Sequence, residues 1–244
     1  MIWADYHTHT IYSHGTGTIL QNALQAQAIG LKELGIADHG LRHMLYGIKK
    51  KDLSAMREDL NRAQEQCSVR LKLGVEANIY ATDGSVDLPA DHPFDFVIAG
   101  YHKMVWPKSF FETFRWSIPA LCNATFGCTH ADVRKYTKAY IRAIQSKQID
   151  ILSHPCLGVP LDMVEVAKAA MDYGVLLELN GKGIAMTEDV VAKIAAMGAK
   201  FVADSDAHSP DRVGEVEKPR QLIERLGIES SVVNWNALPQ LGRK

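Results

Sequence analysis

Seven of the ten histidines in this 244-residue chain, with one glutamate and one aspartate, stand just after short apolar runs scattered from one end of the sequence to the other. They occur in Asp5-Tyr6-His7-Thr8-His9, Ser13-His14, Asp38-His39, Gly74-Val75-Glu76-Ala77-Asn78, Gly100-Tyr101-His102, Ser153-His154-Pro155 and Ser205-Asp206-Ala207-His208. Imidazole mixed with carboxylate suits zinc, manganese or iron rather than calcium, so the pattern predicts a metal cluster assembled from distant segments. His7 and His9 lie two residues apart at a strand end, where a period of two turns both to one face and lets them share a cation. Asp5 has the same parity one step deeper and is expected to orient a ligand histidine. Asp206 and His208 repeat the arrangement, with Asp204 in the deeper position.

Glu76 is the only glutamate of the set, and its two oxygens can join two cations at the spacing of about 3.5–4 Å found in two-metal hydrolytic centres. It is expected to be the bridge. Two cations lower the pKa of a shared water to roughly 7, which makes water, not a side chain, the expected nucleophile. No serine elbow, phosphate-binding loop or dinucleotide fingerprint competes, because Gly15-Thr16-Gly17 and Gly181-Lys182-Gly183 lack the required length and context. His43, His92 and His130 are expected to be ordinary surface or core histidines, and Cys156 a small buried filler.

Side chains so far apart in sequence need a scaffold that brings many strand ends to one face. Apolar runs of strand length alternate here with segments of helical period, the sign of repeated βα units and a parallel sheet or barrel. Strands are expected near Ile2–His7, Gly35–Asp38, Leu71–Glu76, Phe94–Gly100, Ile149–Ser153, Val175–Leu179 and Lys200–Asp204, with Ser230–Asn234 a candidate eighth. Helices are expected near Thr18–Leu34, Asp52–Gln66, Asp132–Ser146, Leu161–Tyr173, Thr187–Met197 and Lys218–Leu226, several of them closed by a glycine. The stretch from Met104 to His130 fits no βα unit; rich in Trp and Phe, it reads equally as a lid over the active-site face and as an extra subdomain.

Composition narrows the function. With 47% hydrophobic residues and a net charge of -1, the chain has ordinary globular chemistry and no basic tract to bind long nucleic acid. No uncharged apolar stretch reaches membrane-spanning length, and the four cysteines show no paired spacing, so the expectation is a cytoplasmic protein without membrane partners, disulfide scaffold or thiolate zinc site. No pattern in the chain specifies an oligomeric state.

In this order the motifs resemble the PHP (polymerase and histidinol phosphatase) family over nearly the whole chain, and Gly74–Asn78 and Ala99–His102 are most similar to its small YcdX-type phosphatases and phosphoesterases. The resemblance implies a single α/β domain over residues 1–244, a distorted (β/α)7 TIM-like barrel with the 104–130 insertion near its active-site face. It implies three divalent metal ions, zinc foremost with manganese or iron as alternatives. His7, His9, Glu76 and Asp206 would hold the first, Glu76, His102 and His154 the second, and His14, His39 and His208 the third. The implied activity is hydrolysis of phosphate monoesters of small phosphorylated substrates by a metal-bridging hydroxide, with Glu76 and Asp206 catalytic and Asp206 orienting or deprotonating the water. Arg42, Lys103, Asn180 and Lys182 follow strands and are expected to reach the phosphate or leaving group. The alternatives are a dedicated histidinol-phosphate phosphatase, a phosphodiesterase or nuclease, and a non-catalytic metal-binding scaffold; a complete ligand set favours an enzyme. Ala37, Lys103 and Asp204 depart from residues common in the family, and none of the three removes a ligand.

Overall fold

The computed structural model describes residues 1–89, 91–120 and 129–235. The apolar, β-branched runs form seven strands: β1 (Ala4–Thr8), β2 (Glu33–Ile36), β3 (Arg70–Asn78), β4 (Phe96–Gly100), β5 (Ile151–Leu152), β6 (Leu176–Asn180) and β7 (Phe201–Asp204). They pair in chain order, each neighbour parallel to the next, in a nearly closed barrel. Amphipathic helices supply the outer layer: α1 (Ile19–Ala28), α2 (Leu53–Gln64), α3 (His130–Gln145), α4 (Met163–Tyr173), α5 (Glu188–Ala196) and α6 (Glu217–Leu226). Their starts follow local chemistry. Thr18 and Gln21 form a capping box at α1, Thr129 and Asp132 another at α3, and the Asp162 carboxylate caps α4.

The barrel closes by side chains where β1 meets β7. The backbone there makes one parallel bridge, Thr8 with Ala207. Below it, the Tyr6 amide donates to Asp204 Oδ1 (2.7 Å), and the Ser205 amide and hydroxyl donate to the two oxygens of Asp5 (3.0 and 2.5 Å). Asn234 takes the place of a strand rung: its carbonyl accepts from the Ala203 amide (2.9 Å) while its Nδ2 donates to the Ala4 and Ala203 carbonyls (2.8 and 2.7 Å). This accounts for the candidate eighth strand. Ser230–Asn234 is a 3-10 turn (Glu229–Ser231) followed by an isolated bridge from Val232 to Phe201, and it plugs the seam instead of adding to the sheet. The first helix is also shorter than its pattern, since Gly30 turns the chain at φ +84 and β2 starts at Glu33, inside the expected helix.

In the insertion, a helical turn at Phe110–Glu112 runs into a π-helical turn at Thr113–Ser117. Trp116 belongs to the core, its ring 4.9 Å from Tyr136 and 6.2 Å from Tyr101, whereas Phe110 and Phe111 remain about three-quarters exposed, at 74% and 75%. Residues 121–128, the rest of the expected lid or subdomain, lie outside the described residues.

Inside the strands, Ala37, Phe96, Ile98, Ile151 and Val202 form a small separate cluster. Phe96 lies over two glycines: a Cβ on Gly74 would meet its ring at 2.3 Å and one on Gly35 at 2.6 Å. Gly74→Ala should therefore overpack the barrel and cost roughly 1–3 kcal/mol, a fall of several degrees in Tm. Adding Phe96→Leu should restore part of that loss; an unchanged Tm in the single variant would refute the packing argument.

Candidate metal centre

All seven strands end on the same side of the barrel, and the nine residues singled out from the sequence meet there around Glu76. Glu76 Oε1 lies 3.2 Å from His7 Nε2, 3.0 Å from His102 Nε2 and 2.8 Å from His154 Nε2. Its Oε2 lies 2.8 Å from His39 Nδ1 and 3.6 Å from His9 Nε2. Asp206 Oδ1 faces His9 Nε2 at 3.3 Å and His7 Nε2 at 3.7 Å. His14 and His208 complete the group: their rings are 4.1 Å apart, and His208 is a further 4.1 Å from the ring of His9. Among the described residues, three overlapping sets have donor atoms within 4.8 Å of one another: His7/His9/Glu76, His39/Glu76/His102 and His9/His39/His208.

Supporting groups fix how these rings present their nitrogens. Glu178 Oε1 accepts from His7 Nδ1 (2.6 Å) and its Oε2 from the His154 amide (2.6 Å). A carboxylate only accepts, so Nδ1 of His7 carries a proton and Nε2 is the nitrogen turned to the cluster. A relay does the same for His102. Asp87 accepts from Asn78 Nδ2 (2.7 Å), which leaves Asn78 Oδ1 to accept from His102 Nδ1 (2.8 Å). Asp38 ties down the loop between His9 and His14 through the Thr10 amide (2.7 Å), the Thr10 hydroxyl (2.6 Å) and the Ser13 hydroxyl (2.5 Å).

Glu178 has the role expected of Asp5. The register of β1 against β2 shifts between Asp5 and Thr8, breaking the alternation that would have aligned Asp5 with His7, and Asp5 is drawn into the seam. Glu178 had a sequence signal, a glutamate within the otherwise apolar strand Leu176-Leu177-Glu178-Leu179. His43, expected to be ordinary, stacks on His39 at 5.1 Å and lines the adjoining cavity. His92 stacks on Phe94, and His130 is the first residue of α3. Cys156 is half-buried rather than a buried filler; burial pushes its thiol up to about 11, an unreactive state.

The four expected substrate contacts separate. Lys182 is in the cluster, its Nζ 2.9 Å from Asp206 Oδ1 and 2.7 Å from His208 Nδ1. Lys103 lines the cavity. Asn180 instead positions carboxylates, its Nδ2 3.1 Å from both Glu178 Oε2 and Asp206 Oδ2. Arg42 braces the insertion: its guanidinium donates to the Trp106 and Pro107 carbonyls (2.9 and 3.0 Å) and lies 4.5 Å over the Tyr80 ring.

Backbone strain concentrates at this face. Of the described non-glycine residues with positive φ, Met104 (60), His154 (30), Cys156 (71) and Asp206 (54) all follow strands at the centre or its cavity; the fifth, Lys147 (59), closes α3.

Burial penalises charge throughout the cluster, but the neighbours decide the outcome. Burial would lower His7, yet the Glu76, Glu178 and Asp206 carboxylates outweigh it and hold His7 well above the usual imidazole range. Burial and the neighbouring His39 push His9 well below that range, and burial lowers His14 to about 4 and His39 to about 3. Burial would raise Glu76 and Asp206, but the surrounding imidazoles keep both well below the carboxylate range. The ionised Glu76 and Asp206 thus lie among rings of two kinds, His7 and His154 shifted toward the charged form and His9, His14 and His39 neutral with free lone pairs. His7 Nε2, both ring nitrogens of His9, His39 Nδ1 and Glu76 Oε2 are buried without a hydrogen-bond partner despite their closeness. Orphaned donor atoms of this kind, converging on one space, fit divalent cations.

A family model described as the PHP domain matches residues 5–181. A probable phosphatase of Thermoanaerobacter sp. is 30% identical over 94% of this chain and 88% of its own. Another, from Vibrio parahaemolyticus, is 31% identical over 95% of this chain and 88% of its own. Histidinol phosphate phosphatase from Lactococcus lactis, solved in complex with zinc, L-histidinol and phosphate, shares the fold: its TM-score is 0.60 at 18% identity, covering 92% of this chain and 93% of its own.

Glu178→Gln leaves one acceptor where the carboxylate offers two, so either His7 Nδ1 or the His154 amide would face an NH2 donor, and zinc binding should weaken by about 10–100-fold, as measured by competition with a chromogenic chelator. Wild-type affinity would show that Glu178 does not position the ligands. Removal of cations by chelation should lower Tm by several degrees, reversibly, because a ligand of the folded state alone adds to its stability; a Tm indifferent to chelator would count against a metal centre.

Proposed function

The chain belongs to the PHP domain family, and on that premise we propose that it is a metal-dependent phosphatase that hydrolyses phosphomonoesters at a centre of three divalent cations, zinc foremost. The observation that carries this reading is the buried Glu76 carboxylate among five imidazoles, those of His7, His9, His39, His102 and His154, with donor atoms left unpaired. His7, His9, Glu76 and Asp206 are assigned to one cation, Glu76, His102 and His154 to a second, and His14, His39 and His208 to a third. The donor set His7/His9/Glu76 falls within the first assignment, whereas the sets His39/Glu76/His102 and His9/His39/His208 cut across the other two, so what they support is a shared multinuclear centre, with His9, His39 and Glu76 each belonging to two sets.

Bound cations would supply Lewis-acid polarisation of the phosphate and acidification of a water molecule. The chain's own groups do the remainder. Asp206 holds its Oδ1 toward His7, His9 and Lys182, where a carboxylate kept ionised can orient the attacking water. Its backbone at φ 54 keeps that carboxylate in place. Lys182 brings an ammonium beside Asp206 and His208, suited to a non-bridging phosphate oxygen, and Lys103 offers a second cation from the cavity wall.

Metal-loaded protein is expected to hydrolyse p-nitrophenyl phosphate, and Glu76→Gln to lose more turnover than the 10–100-fold typical of a supporting residue, at about 100-fold or beyond. Elemental analysis should find three ions per chain and one fewer in His14→Ala. Absence of turnover with zinc, manganese and iron alike would favour a non-catalytic metal-binding scaffold, and faster cleavage of a single-stranded oligonucleotide than of monoesters would favour a phosphodiesterase.

A further inference from the structure

Next to the donor set opens a cavity of about 760 Å³, with His14, His39 and His102 on the side facing the centre. Its other walls come from loops after three strands: Leu45 and Tyr46 after β2, Met104 after β4, and Leu157, Val159 and Pro160 after β5. This volume lies within the range of pockets that enclose a drug-sized ligand, so a phosphate group alone would leave most of it empty. A second cavity of about 500 Å³ shares Tyr101, His102, Lys103 and Met104 with the first and is lined further by Val105, Pro107 and Ile118 of the insertion.

The lining is selective by what it lacks. No carboxylate stands among the described residues of either cavity, and Lys103 is their sole formally charged side chain besides the histidines. A leaving group bearing an ammonium would meet a like charge and no counter-ion. A polyhydroxylated one, such as a sugar, would find polar partners in the first cavity only at its histidines, Tyr46, Tyr101 and Lys103, and would bury its remaining hydroxyls against Leu, Val, Pro and Met side chains that cannot pair with them. An uncharged ring meets none of these penalties and gains contact with Tyr46 and Tyr101.

We propose, on the phosphatase reading above, that the preferred substrate is a phosphomonoester of an apolar, ring-bearing alcohol or phenol whose organic part lies in this cavity while its phosphate faces the histidines. Hydrolysis forms a bond from the water oxygen to phosphorus and breaks the ester P–O bond; the leaving oxygen takes one proton from that water, giving the alcohol and orthophosphate.

Calorimetry on zinc-loaded protein separates the cavity from the chemistry, using two phosphonates that cannot be hydrolysed. 1-Naphthylmethylphosphonate should bind about tenfold tighter than methylphosphonate or better, and Leu157→Glu, at a position 53% exposed where a charged residue stays solvated, should shrink that ratio to about threefold. Equal affinities in the wild type would overturn the proposal. In kcat/KM, 1-naphthylmethyl phosphate, an alkyl ester like the other two, should exceed both glycerol phosphate and histidinol phosphate by about tenfold. The reverse order would overturn the apolar site while upholding the phosphatase. Tight naphthyl binding without turnover of any ester would uphold the apolar site and overturn the phosphatase.

Discussion

A single carboxylate, buried to 1% exposure on β3 and ringed by imidazoles, is the constraint from which the architecture follows. An ionised group taken this far from water is penalised by several kcal/mol unless charge and hydrogen bonding compensate it. Glu76 accordingly has compensation from every side: His7 lies at the end of β1 and His9 just after it, His39 follows β2, His102 follows β4 and His154 follows β5. The carboxylates hold His7 and His154 toward the charged form, whereas burial disfavours His9 and His39 as cations, so those two partner Glu76 best through lone pairs directed at a shared positive charge. A parallel barrel suits this demand, because all its strands end at one face and each can deliver a donor without a long loop.

Delivering those donors requires local departures from regular structure. The shift of register in β1 lets Tyr6 pack against Phe96, with ring centroids 5.9 Å apart, while His7 and His9 both reach the centre. Positive φ at His154 and Asp206 bends two further donors inward, each such residue costing on the order of 1–3 kcal/mol. At the junction between β1 and β7, where the backbone makes a single parallel bridge, Asp5, Asp204 and Asn234 supply side-chain hydrogen bonds in place of rungs.

The sequence displays the donors and the seven strands because both repeat a local signal: an apolar run of strand length, then a titratable residue. All nine residues marked by that signal converge. What it hides is what alternation alone misplaces. Asp5 has the right parity for His7 on an unbroken strand, yet a register shift sends it to the seam and leaves the task to Glu178, 171 residues away. Arg42 and Asn180 follow strands as Lys182 does, but a position in sequence does not say that Arg42 finds the Trp106 and Pro107 carbonyls or that Asn180 finds Glu178 and Asp206. Ser230–Asn234 has strand composition and still forms a plug, since the vacancy it fills exists only once the barrel is nearly closed.

Chemistry and selectivity therefore occupy different parts of the chain and obey different constraints. The phosphate end is met by strand termini, where any change of donor leaves a buried charge uncompensated and the cost is immediate. The organic end is met by the loops after β2, β4 and β5, where Tyr46, Met104 and Leu157 are each more than a third exposed and can be exchanged at little cost to the fold. Substitution on those loops alters which alcohol fits without disturbing the carboxylate beneath it. For that reason, likeness to other members of the family transfers the reaction more securely than the substrate. The lining of the cavity, apolar and without a carboxylate among its described residues, carries the information about the leaving group that the metal centre cannot.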